Sequence, residues 1–156
     1  MLVICNSKIY NNNVDLKLVQ SEYDILIIDD SRYITELLEK VLQFKGYTCK
    51  TLSNTSEAIE ELENYKPKLI LLDVHMPKLS GYDFCKIIKS EEKYKDILVY
   101  YFSGVSEAEV AVKTLETKAD GYLKKPFDLA DFDDILIYLN TTNEYHVRDK
   151  ITEKFL

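Results

Sequence analysis

Glycine is scarce in this sequence: Gly46, Gly81, Gly104 and Gly121 are the only four in 156 residues. They are too far apart to build a glycine-rich loop, so nothing here cradles the phosphates of a nucleotide. Cysteine is scarce too, at Cys5, Cys49 and Cys85. The number is odd and no two stand at metal-ligand or redox spacing. That points to reduced thiols in a cytoplasmic protein rather than to a disulfide framework. No apolar run approaches the ~20 residues of a membrane-spanning helix. Met1–Cys5 is short, has no basic flank and no cleavage site after it, and is not expected to be a signal peptide. Positive charge is in deficit: 20 Lys and Arg against 27 Asp and Glu give a net charge of -7. A surface of that sign repels phosphate backbones and anionic lipid, so no direct nucleic-acid or membrane partner is expected. It suits divalent cations and basic partner faces. Internal repeats and low-complexity tracts are absent.

What is present reads as one domain. Hydrophobic residues make up 46% and charged residues 30%, ordinary for a globular chain long enough to bury a full core. Residues 1–21, with Asn11-Asn12-Asn13, read as an N-terminal extension and 141–156 as a polar C-terminal tail. Between them, over 22–140, short apolar runs alternate with helix-length amphipathic stretches. Ile25–Ile28, Tyr47–Leu52, Leu69–Leu72, Ile97–Phe102 and Tyr122-Leu123 have strand length, and the unbroken apolar runs suit strands covered on both faces. The helical stripes are Ser31–Lys45 (Ile34, Leu37, Leu38, Val41, Leu42, Phe44), a helix capped by Asn54 and Glu57 (Ala58, Ile59, Leu62), Gly81 to about Ser90 (Phe84, Ile87, Ile88), one opened by Ser106 and Glu109 (Val110, Ala111, Thr114, Leu115), and one capped by Asp128 (Leu129, Phe132, Ile135, Leu136, Leu139). Gly46 is placed to end the first. Five strands alternating with five helices predict an α/β fold, a doubly wound five-stranded parallel sheet of (βα)5 type with helices on both faces.

In such a sheet, ligands bind at the carboxyl ends of the strands, near the point where strand order reverses. Past the first strand stand Asp29 and Asp30, past the third Asp73, past the fourth Ser103, past the fifth Lys125 followed by Pro126. Taken singly each has a plain reading: the acids as helix caps, Ser103 before Gly104 as a turn, Lys125 as a solvated lysine. Together they bring three carboxylates, a hydroxyl and an ammonium to one rim. Packed carboxylates repel, and a bound cation relieves the repulsion. Oxygen ligands favour Mg2+, with Mn2+ possible. One carboxylate could then attack a phosphoryl donor, with metal, Lys125 and Ser103 sharing the charge on the phosphoryl oxygens.

At this point the motifs resemble the receiver domains of two-component response regulators, whose fold is flavodoxin-like. Ile25–Ser31 (ILIIDDS) looks like their opening strand, and Leu71–Pro77 (LLDVHMP) with Ser80-Gly81 like their phosphoacceptor strand and loop. Phe102-Ser103-Gly104 matches the threonine-or-serine position, and Ala119–Phe127 (ADGYLKKPF) the lysine-proline region. The resemblance covers about residues 23–140. It implies Asp73 as phosphoacceptor, Asp30 as direct Mg2+ ligand, Asp29 as a ligand mainly through water, and the backbone carbonyl of His75 as a further ligand. It implies that Ser103 and Lys125 contact the phosphoryl group and that Tyr122 is the aromatic switch residue, with a core or edge aromatic as the alternative. The implied partners are a sensor histidine kinase or phosphotransfer protein upstream. Downstream, the implied partner is a protein target or a second copy, at the face of the fourth helix, fifth strand and fifth helix. No enzyme activity is implied beyond phosphorylation and dephosphorylation at Asp73. Three alternatives remain. One is an aspartyl-nucleophile phosphatase, which needs a second acid where His75 stands. Another is a phosphorylation-independent module of the same fold. The third is the receiver part of a longer regulator or hybrid kinase, although the chain after Asn140 is expected to be too short for a DNA-binding output domain.

Overall fold

The computed structural model describes residues 4–5, 8–9 and 23–141. Most of the proposed extension and nearly all of the tail thus lie outside the described residues. Ile4–Cys5 and Lys8–Ile9 pair as a small antiparallel ladder.

The main sheet has five strands, β1 (Ile25–Ile28), β2 (Cys49–Leu52), β3 (Leu69–Asp73), β4 (Leu98–Ser103) and β5 (Gly121–Lys124). All neighbours are parallel, in the order β2-β1-β3-β4-β5. The helices between them are α1 (Arg32–Phe44), α2 (Thr55–Asn64), α3 (Gly81–Ser90) and α4 (Glu107–Thr117). Residues 131–141 form α5. The doubly wound parallel α/β fold expected from the alternation, flavodoxin-like as the resemblance implies, is the one observed.

Strand side chains alternate between faces, and this divides the core in two. Ile25, Ile27, Leu69, Leu71 and Phe102 pack with Leu38 and Leu42 of α1 and with Phe132, Ile135, Leu136 and Leu139 of α5. Leu26, Ile28, Ile70, Leu72, Val99 and Tyr101 pack with α2, α3 and α4 on the other side. Local signals close the elements as read. Gly46 ends α1 at φ +91°, a conformation that costs glycine little. Asn54 Oδ1 accepts the Glu57 N–H while its amide donates 2.7 Å to the Glu57 carboxylate. Ser80 and Ser106 cap α3 and α4 in the same way.

Six apolar assignments differ: Leu37, Phe44, Ile59, Ile87, Leu115 and Leu129 are all exposed. Leu115 is 82% exposed and Phe44 91% exposed. In α4 the inward stripe is Val110, Thr114 and Thr117, spaced four and three; Leu115, five residues past Val110, lies about 140° round the helix. Phe44 is two residues past buried Leu42 and points to the opposite side. Leu129 precedes α5 and is exposed. Ile87 is also largely exposed, and Cys85 is buried in its place. Asp128 does not cap α5 with its side chain. Its backbone N–H instead donates 2.7 Å to the Asp131 carboxylate.

Candidate functional site at the carboxyl rim of the sheet

Strand register assembles the site. Ile28 is level with Leu72, Asp73 with Phe102, and Ser103 with Lys124. Asp29, Asp73, Ser103 and Lys125 therefore fall within one residue of a common line across β1, β3, β4 and β5. Strand order reverses between β1 and β3, so Asp29 and Asp73 flank the crevice that a doubly wound sheet offers to ligands.

The groups are buried: Asp29 is 2% exposed, Asp73 6% and Ser103 0%. The Lys125 ammonium bridges the two acids, donating 2.6 Å to Asp29 Oδ2 and 2.8 Å to Asp73 Oδ1. Its other side lies 4.7 Å from the centre of the Phe102 ring, a cation–π contact. The remaining carboxylate oxygens are held by backbone. The Ser31 N–H donates 2.8 Å to Asp29 Oδ1, and the His75 N–H donates 2.9 Å to Asp73 Oδ2. The Ser103 hydroxyl accepts the Val105 N–H at 3.1 Å, and the Ser103 carbonyl accepts the Lys125 N–H at 2.8 Å. Serine and lysine are thus tied by backbone as well as by register.

Burial pushes the Asp29 carboxyl above its ordinary value. The bonds from Lys125 and Ser31 pull it back only in part, and the Asp73 charge adds to the rise. Burial pulls the other way on the Lys125 ammonium, but its bonds to Asp29 and Asp73 outweigh it and raise the value. At Asp29 the loss of solvent is nearly complete, and one ammonium shared between two acids does not fully offset it, so the rise prevails.

Asp30 is exposed and lines a polar depression of about 280 Å³ with Asp29, Thr35, Thr51, Ser53 and Glu57. His75 is exposed. Tyr122 is half-buried, and its hydroxyl donates 3.3 Å to Glu107 Oε1 in the first turn of α4. Among the described residues no three His, Cys, Asp or Glu side chains converge closely enough to hold an ion. The donor set suits Mg2+ in kind, since each oxygen of Asp29 and Asp73 accepts one hydrogen bond and keeps a further lone pair.

Gly81 belongs to the site through its backbone. A Cβ there would lie 2.1 Å from the Asp73 carbonyl oxygen, so α3 starts in contact with the end of β3. The sequence flagged Ser80-Gly81 only as part of a motif. The signal for this contact was the lone glycine at a helix start, eight residues past an acid.

Beside Lys125 an apolar groove of about 520 Å³ runs between α1 and the β5–α5 connection, lined by Ile34, Leu37, Val41, Pro126, Phe127 and Leu129 among others. No helix among the described residues is long and apolar enough to cross a membrane.

A family model of the response regulator receiver domain matches residues 25–137. The chain belongs to this family. The receiver match is supported by the phosphate regulon transcriptional regulatory protein PhoB of Pseudomonas aeruginosa. It is 36% identical over 103 residues, 66% of this chain and 45% of that protein. The alkaline phosphatase synthesis transcriptional regulatory protein PhoP of Bacillus subtilis is 39% identical over 103 residues, 66% of this chain and 42% of its own length. The receiver chain thus spans less than half the length of these relatives. Among solved structures, the chemotaxis protein CheY4 of Vibrio cholerae is similar at a TM-score of 0.69 and 26% identity, covering 74% of this chain and 97% of that one. The signal receiver domain of a histidine kinase from Syntrophus aciditrophicus reaches 0.69 at 31% identity, over 75% and 89%. The chain is a receiver domain of the two-component response-regulator type.

Proposed function

We propose that this receiver takes a phosphoryl group onto Asp73 from a histidine kinase or phosphotransfer protein and thereby changes its affinity for a protein partner. The observation that carries the reading is the Lys125 ammonium shared between two buried acids, Asp29 and Asp73. A structural lysine needs one partner; this one is placed to follow charge as it develops on Asp73. In the transfer, an Asp73 carboxylate oxygen forms a bond to phosphorus while the donor's phosphorus–nitrogen bond breaks. The departing imidazole keeps the electron pair and takes up a proton. Lys125 turns its hydrogen bond to a phosphoryl oxygen, and the Ser103 hydroxyl, whose oxygen accepts the Val105 N–H, donates its proton to a second phosphoryl oxygen. Asp29, Asp30, Asp73 and the His75 carbonyl would hold Mg2+, which would supply charge neutralisation at the carboxylates when bound. Mn2+ fits the same oxygen set.

The apolar groove beside Lys125 offers ground for the donor to dock within reach of Asp73. Tyr122, held by Glu107, and the neighbouring faces of α4 and α5 offer the output surface to a protein target or second copy. The acidic balance disfavours direct contact of this receiver with nucleic acid. Turnover is confined to gain and loss of the phosphoryl group on Asp73. The phosphatase reading lacks its second acid, because position 75 is His75.

Incubation with acetyl phosphate and Mg2+ tests the reading. One hydroxylamine-labile phosphoryl group per chain is expected, mapping to Asp73 and lost in Asp73→Asn. A label on Ser103 or a histidine, or none at all, overturns it.

A further inference from the structure

Tyr82, the second residue of α3, has a buried hydroxyl with no hydrogen-bond partner, the one such side-chain atom among the described residues. Buried phenols ordinarily find a partner, and leaving one unmade is costly. The ring is firmly placed. It meets Tyr101 of β4 edge-on, with centroids 5.1 Å apart and planes at 88°. The Lys113 ammonium of α4 stands 5.9 Å from its centre. Tyr82 packs against the same core as Val105 and Tyr122. It is therefore wedged between the helix that starts on Asp73, the strand that carries Ser103, and α4.

We propose that Tyr82 is a second sensing aromatic of the switch: its hydroxyl, stranded in the present state, gains the Glu109 carboxylate as partner when α4 shifts in the phosphorylated state. The inference rests on the phosphoacceptor reading above. Glu109 lies one turn before Lys113, so both share the stripe of α4 that faces Tyr82. Lys113 pairs at 2.7 Å with Glu116, and the Glu109 residue is exposed. Burial, then the charges of Glu109 and Asp73, push the Tyr82 phenol upward. The hydroxyl burdens the resting state and rewards the activated one, so it biases the two-state element toward phosphate.

The experiment is beryllofluoride binding, with Mg2+, to the full chain and to Tyr82→Phe, Glu109→Ala and the double variant, with thermal midpoints of the free proteins. Tyr82→Phe should raise the midpoint of the free protein and weaken beryllofluoride binding on the order of tenfold. In the Glu109→Ala background Tyr82→Phe should change binding no further. A Tyr82→Phe protein that binds beryllofluoride as tightly as wild type, or whose free form is no more stable, overturns the inference. Additive effects of the two substitutions overturn the pairing with Glu109. If wild type itself fails to bind beryllofluoride, the phosphoacceptor reading falls and takes this inference with it.

Discussion

Asp29 and Asp30 are neighbours in sequence and opposites in environment. Asp29 follows β1 inside the rim and is almost wholly desolvated; Asp30, one residue on, is exposed. The consequence for stability is testable. The folded Asp29 carboxyl is raised above its unfolded value, chiefly by burial. A raised acid contributes stability that is present below the unfolded value, about 3.9, and is lost as pH rises through the folded value. Asp29→Asn removes that titration and leaves Lys125 its bond to Asp73. The variant's urea midpoint should therefore gain on wild type as pH rises through that window, and the difference should be flat above it. A difference that moves the other way would show that attraction to Lys125 outweighs burial at Asp29.

The elements hold these residues through contacts that leave little slack. The N-terminus of α3 rests on β3 at Gly81, where an added Cβ would strike backbone rather than a movable side chain. Gly81→Ala should cost about 2 kcal/mol or more in chemical denaturation, the overpacking range, and should slow acetyl-phosphate labelling because the acceptor strand is displaced. A Cβ at Gly121 would lie 2.5 Å from the Tyr100 ring, but there the obstacle is a side chain. In α4 the real inward stripe can be told from the apparent one. Val110→Ala should cost about 2 kcal/mol, as a buried truncation does. Leu115→Lys should stay within about 0.5 kcal/mol, as an exposed substitution does. A large loss at Leu115 in the isolated chain would mean that its face is covered in solution.

Across the whole molecule the site lies at one end of a sheet whose last strand, β5, is flanked by α4 and α5. The proposed route from Asp73 to that edge runs through Ser103, whose hydroxyl accepts the Val105 N–H, and Tyr122, whose hydroxyl donates to Glu107 of α4; Val105 and Tyr122 pack on the same core. Amide exchange with and without beryllofluoride measures this. Protection changes are expected at residues 103–128 as well as around Asp30 and Asp73. Changes confined to the latter two loops would mean that the ligand binds without switching, and the phosphorylation-independent reading would gain. A partner must prefer one state to move the balance: shifting 1:99 to 99:1 takes about 5.5 kcal/mol.

Much of this was legible in the chain itself. Short apolar runs leading into Asp29, Asp73, Ser103 and, less closely, Lys125 encode both the buried parallel strands and the chemistry at their ends, because strand interiors and strand exits want different residue types. Caps at Asn54, Ser80 and Ser106 and the turn at Gly46 are local physics, resolved within a few residues. Tertiary structure decided what depends on distant neighbours. Only the register of β1 against β3 makes Asp29 the buried acid and leaves Asp30 at the rim. Only the closing of β5 on β4 lets one ammonium hold Asp29 and Asp73 together across 96 and 52 residues of sequence. The exposure of Leu115 and Phe44, and the stranded hydroxyl of Tyr82, likewise depend on where α1, α3 and α4 come to rest. Hydrophobicity along a helix sets which residues can be buried, while the packing of the other elements sets which of them are.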